Sequence, residues 1–408
     1  MDVVIRRFVA IGTFRVRWPD GEVSVYVGTP SPDVTLAERD WSVVRKVLLN
    51  PPMALPEAYM DGGLDPVCCD IYDVLDLLMS NIASDRSSQP ILDLQLWRAR
   101  VIRRLSQWNP AWRSRRNVAH HYDLDGRLYR LFLDVDQQYS CGYFQNGDET
   151  LEQAQVAKKA YIARKLLLDR PGLEVLDIGS GWGGMALTLA REHGAIVTGI
   201  TLSSEQLEAS CARAAAEGLS DRVRFELRDY RSLDRTFDRI VSVGMFEHVG
   251  VGYFEEFFNT LRRSLVPDGV ALLHSIGRGQ GPGSTNAWFA KYIFPGGYAP
   301  ALSEVLPAVE RSRLVVTDVE IWRLHYAKTL RYWRARFAAK RTAIVALHDE
   351  RFCRMFEFYL AGSELAFRRQ GQMVFHLQLA RDQEAVPLTR DYMLRDAWTA
   401  VTEAVVAD

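Results

Sequence analysis

Cysteine is scarce in this chain: five in 408 residues, an odd number, with no C-x-x-C pair. That argues against a disulfide scaffold. H-E-x-x-H is missing too, so no zinc site is expected, only reduced thiols in a cytosolic protein. An excess of either charge is also lacking. Net charge is −1, which gives no electrostatic case for a nucleic-acid partner. No apolar run reaches the ~20 residues of a membrane span. Met1-Asp2-Val3-Val4 carries an early acid and Arg6-Arg7 interrupts the apolar run, which does not read as a signal peptide. Repeats and low-complexity tracts are missing as well. What remains is an ordinary globular composition, long enough for two domains or one domain with an extension.

The chain is organised around residues 175–184, VLDIGSGWGG. Val175, Leu176 and Ile178 suggest a short strand. Gly179, Gly181, Gly183 and Gly184 follow, and residues 186–191 suggest a helix. Strand, glycine turn and helix form the context in which bare backbone meets a nucleotide-like ligand. By itself the stretch fits a plain tight turn equally well. The next strand, residues 195–200, ends without the acid that a nicotinamide cofactor's ribose requires, and offers Thr201 and Gln206 instead. A nicotinamide dehydrogenase is thereby disfavoured. Further strands are expected at 223–227, 237–243, 269–274 and 374–379, with helices at 205–217 and 253–264 between them. This alternation describes an α/β fold with a doubly wound, mostly parallel, Rossmann-like sheet.

Upstream, residues 1–90 read as a smaller α+β domain. Phe14, Val16 and Trp18 alternate with arginines, Pro19-Asp20-Gly21 turns, and Val23, Val25 and Val27 alternate on the return. Asp40 is placed to cap a helix that Pro51-Pro52 would stop, and a helix is expected over 71–82. Residues 84–90 read as a linker. Residues 91–116 form a basic connecting segment, in which seven arginines interleave with Trp97, Trp108 and Trp112. Such a segment suits an anionic membrane surface, or equally a solvated helix face. Residues 117–408 would form the catalytic domain.

Seven stretches occur in one order: YSCGYF from Tyr139, LDIGSGWGG from Leu176, TLSSEQ from Thr201, DRIVSVGMFEHVG from Asp238, LLHSIG from Leu272, KYIFPGG from Lys291 and HYAKTL from His325. Together they resemble the cyclopropane-fatty-acyl-phospholipid synthases, which are S-adenosylmethionine-dependent enzymes of the class I methyltransferase fold. The resemblance implies a methylene transfer to a cis double bond of an unsaturated phospholipid. It implies a cytoplasmic protein on the inner membrane face, forming a homodimer, with an N-terminal domain that is either lipid-carrier-like or equally a packing or oligomerisation domain. For S-adenosylmethionine it implies contacts from Tyr139, Ser140, Asp177, Gly179, Gly181, Gly183, Thr201, Gln206, Asp229 and Tyr230. It implies bicarbonate as general base, held by Cys141, Glu247, His274, the Ile276 backbone and Tyr326. No metal is implied.

The chemistry requires little else, because a sulfonium methyl is already activated. The alkene must be aligned and kept dry, and a base must reach the new methyl. A carboxylate beside a bound anion is sensible only if one of them carries a proton, so Glu247 and bicarbonate are expected to share one, with His274 and Tyr326 donating. Phe144, Phe246, Trp288 and Tyr298 are candidates for the acyl tunnel. Helices over 329–370 would add Leu330, Trp333, Phe337, Phe352, Met355, Phe356, Tyr359 and Leu360, or else simply pack. Ser180 stands where the family often has cysteine. His120, His121 and His248 are not assigned catalytic roles.

Overall fold

The computed structural model describes residues 2–84 and 126–394. In the first span, β1 (Ile11–Arg17) pairs antiparallel with β2 (Val23–Val27) and parallel with β3 (Thr29–Glu38), which in turn pairs with β4 (Leu64–Val67). The expected hairpin is present, but its valines face outward: Val23, Val25 and Val27 are 52%, 40% and 71% exposed. Register is the reason. Buried Phe14 and Val16 stand opposite Tyr26 and Ser24, so those two residues form the inner face of β2.

Asp40 caps the helix Trp41–Leu49, accepting from the Ser42 N–H at 2.7 Å. Pro51 and Pro52 do not merely stop that helix; they open the next one, Pro51–Met60. Proline suits a first turn because its missing N–H would have had no helical partner there. The helix Ile71–Ser84 follows. Residues 85–90, the basic stretch 91–116, and His120 and His121 lie outside the described residues.

The second span holds seven strands: β5 (Glu174–Ile178), β6 (Ile196–Thr201), β7 (Val223–Leu227), β8 (Phe237–Val243), β9 (Leu265–Arg278), β10 (Val315–Trp322) and β11 (Gln372–Ala380). Their spatial order is β10-β11-β9-β8-β5-β6-β7. Strands β9 to β7 in that order are parallel, and β11 runs antiparallel to both its neighbours. The order reverses beside β5, between β6 on one side and β8 on the other. Ligands of such sheets bind beyond the carboxyl ends of the strands at that reversal. The doubly wound expectation therefore holds, with β10 (VVTDVEIW) unanticipated.

The helical region resolves into His325–Ala339, Arg341–Leu347 and Glu350–Arg369. Asp349 starts the last of these, accepting from the Phe352 N–H at 2.6 Å. Trp288, Leu330, Trp333, Phe337, Met355, Phe356, Tyr359 and Leu360 share one apolar cluster with Cys141 and Tyr326. Phe246 and Tyr298 belong to a different cluster, packed with Phe254, Phe257 and Phe258. The N-terminal unit sits on the last long helix, where Arg351 pairs with Asp61 at 2.7 Å and Tyr59 donates to Glu357 at 3.0 Å.

Candidate active site

The glycine turn after β5 has three residues at positive φ: Gly179 (+82°), Gly181 (+53°) and Gly183 (+84°). Their reasons differ. A Cβ at Gly179 would lie 2.7 Å from Met245 Cβ, and one at Gly183 would lie 2.8 Å from Phe225 Cζ. At Gly181 nothing lies within 4 Å, so its backbone is bare toward the cleft. Tyr139, Ser140, Asp177, Gly179, Gly181 and Gln206 line that cleft. Gly183, Thr201, Asp229 and Tyr230 do not form its walls. Thr201 instead donates to Gln206 Oε1 at 2.9 Å, which orients the amide. Both Asp229 oxygens are taken by Arg231, at 2.9 and 2.7 Å. Tyr230 packs edge-on against Phe257.

Asp177 is buried and its Oδ2 has no partner among the described residues. Burial pushes its pKa up to about 7, against the opposing pull of Lys158. A raised acid favours folding while protonated, so stability falls as pH rises from the ordinary carboxylate range through 7. The variant Asp177→Asn is therefore expected to gain melting temperature over the native protein progressively between pH 4 and about 7, with a constant difference above. Parallel thermal melts without ligand would show this; a pH-independent difference would refute it.

Residues 134–140 form a strap whose last four residues, Gln137 to Ser140, line the cleft, and the groups that hold it escaped sequence reasoning. Lys158 is fully buried on the helix Leu151–Lys165. It donates to Gln138 Oε1 at 2.6 Å and to Ser140 Oγ at 2.8 Å. Burial lowers its pKa to about 8, although Asp134 and Asp136 oppose the shift. Asp136 pairs with Lys159 and Arg213, and Arg213 also donates to the Trp182 carbonyl at 2.8 Å. One signal was available. Leu151, Gln155, Lys158, Ile162 and Lys165 recur at core spacing and are all buried. Polar side chains on an apolar stripe mark a buried network.

Removing one buried hydrogen-bond partner costs about 1–3 kcal/mol. Lys158→Met is thus expected to weaken S-adenosylmethionine binding by roughly 10-fold or more, read by titration calorimetry.

The second group lies at the ends of β8 and β9. Glu247 follows β8 in a short 3-10 turn. Its Oε1 accepts from the Ile276 N–H at 2.6 Å, and its Oε2 has no partner among the described residues. Burial raises its pKa to about 7. His274 stands two residues before Ile276 on β9, with Nδ1 2.7 Å from His376 Nε2. Burial drives both imidazoles well below their ordinary pKa, so both are neutral.

Cys141 is fully buried; its thiol faces the Gly142 carbonyl at 3.3 Å, and burial raises its pKa. The Gly142 N–H donates to Thr329 Oγ1 at 3.0 Å, one turn beyond Tyr326 on the same helix. Tyr326 packs against Trp333 and Phe367. The fold thus joins Glu247 to Ile276 directly and brings the Cys141 and Tyr326 segments together. Of the Ile276 backbone, which the resemblance assigns to an anion, the N–H is engaged by Glu247. His248 is held neutral by burial, at about 4, against the Phe294 ring.

A nucleotide-type cleft at the sheet reversal, with neutral polar groups after β6, defines a class I S-adenosylmethionine-dependent methyltransferase. Comparison with known proteins agrees. The model of the mycolic acid cyclopropane synthetase family matches residues 110–377, and the chain belongs to that family. A Pseudomonas putida protein named a probable fatty acid methyltransferase is 37% identical over 389 residues, covering 90% of this chain and 93% of its own. The cyclopropane-fatty-acyl-phospholipid synthase of Escherichia coli K12 is 36% identical over 359 residues, covering 88% and 90%. The mycolic acid cyclopropane synthase CmaA1, solved with SAH and CTAB, superposes with a TM-score of 0.62 at 33% identity, covering 67% of this chain and 99% of its own. One-carbon transfer from S-adenosylmethionine is the chemistry of this enzyme. Among the described residues, no helix is long and apolar enough to cross a membrane.

Proposed function

We propose that this enzyme adds a methylene across a cis double bond of an unsaturated phospholipid acyl chain, with bicarbonate as the general base. The observation that carries the proposal is Glu247: a buried carboxyl at the ligand end of the sheet, with one oxygen unpartnered among the described residues and a pKa raised to about 7. A fixed carboxylate would repel a bound anion, whereas a carboxyl holding its proton at neutral pH can donate to one. Cys141, Glu247, His274, the Ile276 N–H and Tyr326 would hold that anion, and Glu247 would have to share the Ile276 N–H with it. When bound, bicarbonate supplies a base for the hydrogen lost on ring closure.

The chain's own residues do the remaining work. The Gly181 backbone, Gln206 and the strap residues Tyr139 and Ser140 orient the sulfonium. As the alkene carbon bonds to the methyl, the sulfur keeps the electrons of the broken S–C bond and a cation forms on the acyl chain. Tyr139 stacks on Trp333 at 5.1 Å with Phe132 edge-on to both, at 6.3 and 6.1 Å, and this aromatic cluster excludes water from that cation. The arginine- and tryptophan-rich composition of residues 91–116 supports action at an anionic, cytoplasmic membrane face.

The test is purified enzyme with unsaturated phospholipid vesicles and S-adenosylmethionine, followed by mass spectrometry of the fatty acids. A cyclopropane product that depends on bicarbonate is expected. A second reading, compatible with the Pseudomonas relative's name of probable fatty acid methyltransferase, is a fatty-acyl C-methyltransferase that does not close the ring. A branched or still unsaturated product would establish it instead.

A further inference from the structure

We infer that His376 is a positioning residue that holds His274 in the tautomer with its proton on Nε2. The relevance of that tautomer to catalysis rests on the proposal that His274 donates to a bound anion.

The two imidazoles meet because β11 and β9 pair antiparallel with His376 directly opposite His274. Both are buried, and a single hydrogen bond of 2.7 Å links His274 Nδ1 to His376 Nε2. Only one proton can occupy that link, so one ring donates and the other accepts.

The far nitrogen of His376 decides which. His376 Nδ1 is buried without a partner among the described residues. Trp322, the nearest aromatic, lies over the ring at a centroid distance of 4.0 Å, and its own Nε1 is also unpartnered. If His376 carried its proton on Nδ1, a buried N–H would be orphaned. An unfilled lone pair is tolerated more readily than an orphaned buried N–H. His376 therefore carries its proton on Nε2 and donates it to His274 Nδ1. Neutral His274 must then be protonated on Nε2, the nitrogen on the opposite side of the ring. With the reverse arrangement His274 would present a lone pair to an anion and repel it.

The test uses full-length protein labelled with 15N-histidine. Long-range 15N–1H spectra distinguish the two neutral tautomers, and the His274→Asn spectrum assigns the resonance. Native protein and His376→Gln, whose amide can still donate, are expected to show His274 protonated on Nε2. The His376→Leu variant is expected to show mixed tautomers. Its kcat should fall about 10-fold or more, with S-adenosylmethionine affinity unchanged and with activity restored in His376→Gln. His274 protonated on Nδ1 in the native spectrum would overturn the inference, even if His376→Leu failed to fold. Bicarbonate-independent turnover with His274 on Nε2 would instead sink the anion proposal and leave the tautomer assignment standing.

Discussion

Glu247→Gln is expected to lose about 10²- to 10⁴-fold in turnover, the range for removal of a positioned proton-transfer group, while binding S-adenosylmethionine as the native protein does. Two features of the site separate these effects. Glu247 is not a wall of the cofactor cleft, so the substitution leaves that cleft alone. Glutamine keeps the shape and can still accept from the Ile276 N–H through its carbonyl oxygen. What it cannot do is exchange a proton with a neighbouring anion. The variant also removes a carboxyl that burial holds near pH 7, so it should melt no lower than the native protein at pH 8. Calorimetry with the cofactor and mass spectrometry of the lipid product read the two effects separately. Native turnover in the variant would remove Glu247 from the chemistry.

A second loss, at the binding step, is expected from the glycine turn. In Gly179→Ala the new methyl must sit at φ +82° and 2.7 Å from Met245 Cβ, closer than real contacts allow. The left-handed conformation alone costs roughly 1–2 kcal/mol. Met245 lies two residues before Glu247, so its displacement disturbs both halves of the site. Melting temperature should fall, and cofactor affinity should drop at least ~10-fold, the equivalent of that strain in binding. Gly181→Ala is the informative partner. It shares the positive φ, but its methyl would project into open space. A smaller loss of stability is expected there, with a comparable loss of affinity. Unimpaired binding by Gly181→Ala would show that this backbone is not the cofactor's seat.

The two halves of the site were unequally legible. The glycine turn, the neutral Thr201 and Gln206, and the strand–helix alternation are local patterns, because each depends on residues a few positions apart. Glu247 and His274 could be placed at strand ends for the same reason. Asp229 could not be judged locally, since its commitment to Arg231 depends on a side-chain conformation. Lys158 was legible only as a polar residue at core spacing on its helix; its partners, Gln138 and Ser140, come from the strap. The outward face of Val23, Val25 and Val27 hinged on register, which slips by one residue without altering the pattern.

The chain positions of the parallel strands and the doubly wound type of sheet could be read from sequence alone, because hydrophobic period and glycine placement act over short distances. Only the tertiary structure set His376 opposite His274, 102 residues away, and left one oxygen of Glu247 without a partner among the described residues. Cross-strand pairing and burial arise from the packing of distant segments, and they govern which nitrogen or oxygen holds a proton.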